Sequence, residues 1–133
     1  MGPVNWLAVG LSANLAVAIG LVWYGPLFGG KPLLGARQPG GKGVVRSYGQ
    51  AVLLQLISAS LVGHNFARTG AETLAAKPWL YPMMSGGLAL TIIAPALFIS
   101  YSRQGLPVRE ALVDAGFWMV AYLAMGAVFW ALG

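Results

Sequence analysis

The feature of this sequence that most constrains its fold is a set of long apolar runs that carry almost no charge. Of its 133 residues, 58% are hydrophobic and only 8% are charged. A soluble domain of this length needs far more charged side chains to cover its surface. A run of roughly 20 apolar residues is long enough to cross the hydrocarbon core of a bilayer as an α-helix. The composition therefore predicts that lipid surrounds most of the side chains.

Four such runs are separated by short connections, and we expect α-helices over about residues 4–28, 50–67, 79–101 and 108–132. The chain is thus predicted to be an all-α integral membrane protein, a single domain of residues 1–133 built as a bundle of four transmembrane helices. Trp23, Tyr24 and Pro26 close the first run, as expected where a helix leaves the membrane. Pro95 lies inside the third run and predicts a kink near Thr91 to Pro95.

The connection over residues 29–49 is rich in glycine and proline, a density that does not sustain a helix or a strand, so we expect a loop there. Together with the connection over residues 102–109, it carries six basic residues, namely Lys31, Arg37, Lys42, Arg46, Arg103 and Arg109. The connection between the second and third runs holds only Arg68 and Lys77. The positive-inside rule then places the first and third connections in the cytoplasm and both termini outside.

The net charge of +5 does not indicate a nucleic-acid partner, because the basic residues sit in short connections and form no basic face. Membrane lipids with anionic headgroups are the expected partners of these residues. The sequence has no cysteine, which excludes disulfides and thiolate metal ligands. We expect no metal site.

Small residues recur at helical spacing and predict where helix backbones approach one another. They occur in the first run at Ala8, Ser12, Ala16 and Gly20, in the second at Ala59, Gly63 and Ala67, and in the third at Gly86 and Gly87. We favour packing inside one bundle over a seam between copies of the chain. Both interpretations stay open at the level of the sequence.

The second run is the most polar, and its polar side chains are expected to face protein rather than lipid. The candidate ligand-binding residues are Gln55, Ser60, His64 and Asn65. Ser60 and His64 resemble the small-x-x-x-His arrangement of bacteriochlorophyll-binding antenna helices, which makes a tetrapyrrole, or a bound lipid, the candidate ligand. The favoured interpretation is a neutral His64 hydrogen-bonded to a neighbouring helix or to water.

The candidate charged residues at the membrane edge are Asp114, Arg109 and Arg103. A carboxylate about one turn into the fourth run could relay protons or bind a cation, or it could neutralise Arg109. His64 and Asp114 are expected near opposite faces of the bilayer, too far apart to form a catalytic pair. We therefore predict no catalytic residues and no enzyme activity.

Several short segments resemble the bacterial membrane family called domain of unknown function 1761. These segments are Asn5-Trp6-Leu7-Ala8-Val9, Trp23-Tyr24-Gly25-Pro26-Leu27-Phe28-Gly29, Ala94-Pro95-Ala96-Leu97, Asp114-Ala115-Gly116-Phe117-Trp118 and Met125-Gly126-Ala127. The resemblance implies a small four-helix protein of the bacterial cytoplasmic (inner) membrane. It implies no activity.

Two classes of function are compatible with these patterns. The first is a structural, accessory or binding subunit that packs through its helices against other membrane-protein chains, as a homo-oligomer or in a larger complex. One version is a subunit of a bioenergetic or pigment-protein complex in which His64 holds a pigment or quinone. The alternative is a small homodimeric transporter or channel lined by polar residues such as Asn14 and Gln55.

Overall fold

The computed structural model describes residues 2–28 and 41–133, and for residues 41–45 it describes the backbone alone. The described residues fold into helices and turns and contain no strand. In chain order the α-helices are α1 (Trp6–Val22), α2 (Gly41–Thr69), α3 (Ala71–Ala76), α4 (Leu80–Leu88), α5 (Ala94–Arg103) and α6 (Val108–Leu132). Two π-helical segments continue the α-helices that precede them, Trp23–Leu27 after α1 and Ala89–Ile93 after α4.

The first helix begins and ends where its sequence predicts. Asn5 caps α1, because its side-chain oxygen accepts a hydrogen bond from the Ala8 N–H at 3.0 Å. At the other end the helix widens into the π-helical segment Trp23–Leu27, which contains Pro26. Helical structure therefore covers residues 6–27, close to the predicted 4–28.

The second helix begins earlier than predicted. We expected a loop over residues 29–49, but α2 starts at Gly41, so the prediction is wrong for residues 41–49. The first turn of a helix tolerates glycine, and the later Gly43 and Gly49 are isolated, each costing about 1 kcal/mol relative to alanine. The part of the predicted loop over residues 29–40 lies outside the described residues.

The third apolar run is helical but irregular. The chain passes from α4 through the π-helical segment Ala89–Ile93 into α5, whose second residue is Pro95. π-Helical turns and prolines are the usual causes of helix bending. The irregularity predicted near Thr91 to Pro95 is therefore present, and it begins at Ala89.

The long helices run antiparallel to their neighbours, with α1 packed mainly against α2 and α6, and α6 packed also against α4 and α5. Both chain ends meet at one end of the molecule. The Asn5 side chain donates a hydrogen bond to the Leu132 carbonyl at 3.0 Å, and the Gly2 N–H donates to the Ala67 carbonyl at 3.1 Å. We call this the terminal end of the molecule.

Three helical stretches of the described chain are long and apolar enough to cross a bilayer: Trp6–Leu27, Leu80–Arg103 and Val108–Leu132. Helix α2, which contains the second predicted span, is not among them. Its polar side chains, Gln50, Gln55, His64 and Asn65, lower its hydropathy. Length and composition thus support three of the predicted spans.

Small residues allow the close approach of the helices. The predicted stripe of α1 is buried at every position, at Ala8, Ser12, Ala16 and Gly20, which confirms packing inside one bundle for this stripe. In the contact between α4 and α6, Ser85 lies directly against Gly126. A methyl group added at Gly86 would meet Leu123 of α6 at 2.8 Å, whereas one added at Gly87 would meet open space.

We predict that Gly126→Ala lowers the free energy of unfolding by about 1–3 kcal/mol, the usual cost of overpacking. The new methyl group would collide with the Ser85 hydroxyl and lie 3.0 Å from the Tyr81 carbonyl oxygen. Gly87→Ala is the matched control, and it should leave stability equal or raise it by up to about 1 kcal/mol through helix propensity. Thermal or denaturant unfolding in detergent measures both. Equal stability of the two variants would contradict the packing described for α4 and α6.

Candidate functional site

Asp114 lies nearly two turns into α6, half-buried, and both of its carboxylate oxygens accept hydrogen bonds from tyrosines. The Tyr24 hydroxyl donates to Oδ1 at 2.8 Å, and the Tyr101 hydroxyl donates to Oδ2. Tyr24 belongs to the π-helical segment after α1, and Tyr101 belongs to the last turn of α5. We call these three residues the Asp114 cluster. It joins three helical stretches at the end of the molecule opposite to the terminal end.

The residues around the cluster explain why Tyr24 faces Asp114. The neighbouring Trp23 donates a hydrogen bond from its indole Nε1 to the Val113 carbonyl at 3.1 Å. Its ring occupies the space left by Gly116, where an added methyl group would lie 3.0 Å from the indole. The Tyr24 ring packs against Phe117, with ring centroids 5.3 Å apart. The π-helical segment thus presents two consecutive aromatic side chains to α6.

The chemistry of the cluster is that of a carboxylate satisfied by neutral donors. A half-buried carboxylate is costly unless it is hydrogen-bonded, and hydrogen bonds to a charged group stabilise by roughly 1.5–3 kcal/mol each. Such an arrangement holds helix ends together. Among the described residues, no group of three His, Cys, Asp or Glu side chains lies close enough to hold a metal ion.

The two arginines predicted at the membrane edge are not partners of Asp114. Arg103 and Arg109 are exposed, and the carboxylate oxygens of Asp114 bond to the tyrosines instead. Neither tyrosine is predicted from the sequence as a partner of Asp114, because an aromatic residue at the end of an apolar helix is typical of an anchor at the lipid headgroups. One signal could have found them: an isolated carboxylate in an apolar helix needs donors, and both tyrosines end helices on the side where α6 begins.

The candidate ligand-binding residues of α2 do not converge on one site. Gln55 is buried, Ser60 and Asn65 are half-buried, and His64 is exposed. The Ser60 hydroxyl donates to the carbonyl of Leu56, in its own helix, at 2.7 Å. The prediction that the polar side chains of α2 face inward is therefore correct for Gln55 and wrong for His64. The inner face of α2 is filled mainly by apolar side chains, including Ala59, Val62 and Phe66.

His64 and Asp114 lie far apart, as predicted. The neighbour of His64, Gly63, faces Phe129 of α6, and Phe129 follows Asp114 by 15 residues along the same helix. At 1.5 Å per residue this corresponds to about 22 Å along the axis of α6. The structure therefore does not bring the two residues together.

Two buried polar atoms have no hydrogen-bond partner among the described residues: the Ser12 hydroxyl and the Gln55 side-chain carbonyl oxygen. Ser12 is fully buried, and Gln55 is 4% exposed. Buried polar atoms without partners are rare in folded proteins. They place one unpartnered polar group on the otherwise largely apolar inner face of each of α1 and α2.

A cavity of about 700 Å³ lies at the terminal end, between the start of α1, the end of α2, α3, the start of α4 and the end of α6. Phe66, Tyr81 and Phe129 form its aromatic wall. The ring centroid of Phe66 lies 4.9 Å from that of Tyr81 and 5.3 Å from that of Phe129, and the rings are tilted to one another by 54° and 57°. Gly63 also lines the cavity, whereas the next residue, His64, is exposed on the outside of α2. The cavity is thus apolar, and His64 does not contribute to its wall.

Comparison with known families matches residues 7–130 to the family described as "Protein of unknown function (DUF1761)". The chain belongs to the DUF1761 family. No curated protein and no solved structure matches it. The matched region runs from the first turn of α1 to the last turn of α6, so the family match covers nearly the whole length of this DUF1761 protein. It includes all three residues of the Asp114 cluster.

The Asp114 cluster predicts a measurable loss of stability when one hydroxyl is removed. Tyr101→Phe should lower the free energy of unfolding in detergent by about 1–3 kcal/mol, because the carboxylate loses one of its donors. Tyr24→Phe should behave similarly. In an Asp114→Leu background both substitutions should become nearly neutral, since the acceptor is gone.

The matched control is Tyr48→Phe, which removes a hydroxyl from an exposed tyrosine of α2 and should change stability by less than about 0.5 kcal/mol. If Tyr101→Phe and Tyr48→Phe had the same effect, or if the loss persisted in the Asp114→Leu background, the cluster would not link the helices.

Proposed function

We propose that this DUF1761 protein is an integral membrane protein that crosses the bacterial cytoplasmic membrane as four helices. The observation that carries the proposal is the number of large apolar side chains that face outward on every long helix. Examples are Leu11 on α1, Ile57 on α2, Ile92 on the third stretch and Leu123 on α6. Monomeric soluble proteins rarely expose contiguous apolar surface of this extent.

The inclusion of α2 as a crossing helix rests on its outer face and on the position of the chain ends. Leu53, Leu54, Ile57 and Leu61 are each more than half exposed, so the apolar surface of the other helices continues across α2. Asn5 bonds to Leu132, which puts the start of α1 beside the end of α6. An even number of crossings puts both chain ends on the same side of the membrane, whereas three crossings would put them on opposite sides.

The proposed orientation places both termini outside and the Asp114 cluster near the cytoplasmic face. It rests on the six basic residues of the first and third connections against the two of the second. Within the described chain, Arg46, Arg103 and Arg109 belong to the end with the Asp114 cluster, while Arg68 and Lys77 belong to the terminal end.

Within the membrane, the proposed role is that of a structural, accessory or binding subunit. Small residues bring the helices of this chain together on the inside, which leaves the outer faces of Leu, Ile and Trp side chains for lipid or for other membrane-protein chains. His64 stands on the outer face of α2, where a neighbouring chain or a ligand between chains could reach it. A pigment or quinone held by His64 is the most specific version of this role.

Purification from native membranes in a mild detergent tests the accessory role. The expected result is a particle heavier than one 13.9 kDa chain, containing further copies or other membrane-protein chains identified by mass spectrometry. His64→Leu should release a bound pigment or quinone, while Leu53→Ala, at another exposed position on the outer face of α2, serves as the control. A colourless, monomeric protein without co-purifying chains would contradict the role.

The orientation can be tested by chemical labelling, since the native chain contains no cysteine. In intact cells whose outer barrier admits small reagents, Lys77→Cys should react with a membrane-impermeant maleimide. Arg103→Cys should react only after the cytoplasmic membrane is permeabilised. The reverse pattern would invert the topology, and equal labelling of both sites in intact cells would contradict a crossing between them.

A small homodimeric transporter or channel is the second candidate function, favoured by the buried polar atoms of Ser12 and Gln55, which have no hydrogen-bond partner within the described part of the chain. Polar groups inside an apolar bundle are typical of substrate and ion pathways. If this function holds, proteoliposomes should show a flux of simple cations or amines that Gln55→Leu reduces at least tenfold, while the outer-face substitution Ile57→Ala leaves it unchanged. Absence of any flux across the panel would remove this candidate.

A further inference from the structure

A groove of about 660 Å³ runs between the end of α5 and the start of α6, beside the Asp114 cluster. Its wall combines apolar side chains with one arginine and one serine, and its principal lining residues are Phe98, Ile99, Ser102, Arg103, Leu106 and Val108. Tyr101 also lines the groove and links it to Asp114 through its hydroxyl. None of the residues proposed above as ligand-binding takes part in it.

The shape of the groove follows from the way α5 ends. Gly105 adopts a φ of 67°, the left-handed conformation that glycine favours after a helix. The Leu106 N–H then bonds back to the Tyr101 carbonyl at 3.0 Å, and the Gly105 N–H bonds to the Ser102 carbonyl at 3.1 Å. This pair of bonds is the Schellman motif. It folds Leu106 back along α5 and fixes the floor of the groove.

The chemistry of the groove changes along α5. Phe98 and Ile99 are 37% and 63% exposed and contribute hydrocarbon to its wall, as does Val108 at the start of α6, which is 65% exposed. Ser102 and Arg103, four residues after Phe98 and Ile99 and hence about one turn further along the helix, are exposed at the last turn of α5. A guanidinium and a hydroxyl next to an apolar wall match a molecule with a phosphate at one end and an acyl chain at the other.

We infer that this groove binds an anionic phospholipid, with the phosphate at Arg103 and Ser102 and an acyl chain along Phe98 and Ile99. The inference rests on the membrane location proposed above. It adds a specific lipid site on the face where the basic residues are concentrated, which is also the face where anionic lipids attract Lys and Arg most strongly.

The cavity at the terminal end differs from the groove in its charge, and this difference supports the assignment of an anionic lipid to the groove. Its lining contains no basic side chain among the described residues, although Arg68 stands in the last turn of the nearby α2. Of these two sites on the described chain, the groove beside α5 is the one that combines a cation with an open apolar wall. Charge complementarity therefore selects this site for an anionic lipid.

The test is native mass spectrometry of the full chain in detergent, titrated with phosphatidylglycerol, with phosphatidylcholine of the same acyl chains, and with glycerol phosphate. We expect phosphatidylglycerol to bind at least fivefold more tightly than phosphatidylcholine. Glycerol phosphate, which supplies the phosphate without an acyl chain, should fail to displace the bound lipid at equal concentration. Arg103→Gln should weaken phosphatidylglycerol binding about fivefold, the change expected for one basic residue at a lipid surface.

Arg68→Gln is the matched control, because Arg68 is also an exposed arginine in the last turn of a helix, and it should leave lipid binding unchanged. Arg103→Lys, which keeps the positive charge, should keep most of the preference for phosphatidylglycerol. This variant distinguishes the loss of charge from a folding defect caused by substitution at this position. Equal binding of the two lipids, or equal losses in Arg103→Gln and Arg68→Gln, would overturn the inference. Full displacement by glycerol phosphate would show a phosphate site without a lipid. These outcomes leave the membrane location untouched, since cysteine labelling tests that separately.

Discussion

The structure depends on the shortage of charged side chains. This shortage leaves the long helices with apolar outer faces and with few hydrogen bonds or ion pairs to hold them together. In lipid, apolar surface gives no preference for helix–helix contact over helix–lipid contact. The helices then need close packing and a small number of well-placed hydrogen bonds. Gly63, Gly86 and Gly126 supply the close packing, each receiving a side chain of a neighbouring helix where a methyl group would collide. Asp114, with its two tyrosine donors, supplies a polar link between three helical stretches.

The two ends of the molecule are joined in different ways. At the terminal end, the links are neutral and involve the backbone, from Asn5 to Leu132 and from Gly2 to Ala67. At the opposite end, a charged group holds the ends of α1 and α5 to the start of α6. The proposed lipid groove lies beside this charged link and shares Tyr101 with it. The end proposed to face the cytoplasm thus combines the polar link with the surface that attracts anionic lipid.

The sequence predicted the elements whose signal is local. The first, third and fourth apolar runs were predicted within two residues at either end, because a long apolar run bounded by aromatics or proline leaves little freedom in where a helix stops. The small-residue stripe of α1 was also predictable, since four-residue spacing places its members on one face. Membership of the DUF1761 family agrees with the motifs read from both halves of the chain.

The features that escaped prediction depend on contacts between distant parts of the chain. The start of α2 at Gly41 was hidden by glycines that a helix tolerates near its beginning. The partners of Asp114 are separated from it by 90 and 13 residues, whereas the two arginines nearer in sequence, Arg103 and Arg109, are exposed. The face that His64 occupies depends on which side of α2 packs against α1, and the polarity of a single residue does not determine that.

The proposal of four crossing helices depends most on α2. Among the long helical stretches of the described chain, α2 is the one whose composition does not by itself identify a membrane span. Spin labels placed singly at positions 53 to 62 of the cysteine-free chain in proteoliposomes measure its surroundings directly, through collisions with oxygen in lipid and with a nickel complex in water. Labels at Leu53, Ile57 and Leu61 should collide with oxygen, and labels at Gln55, Ala59 and Val62 should collide with neither reagent. Access of the nickel complex to Leu53, Ile57 and Leu61 would place α2 in water and contradict a four-helix membrane protein.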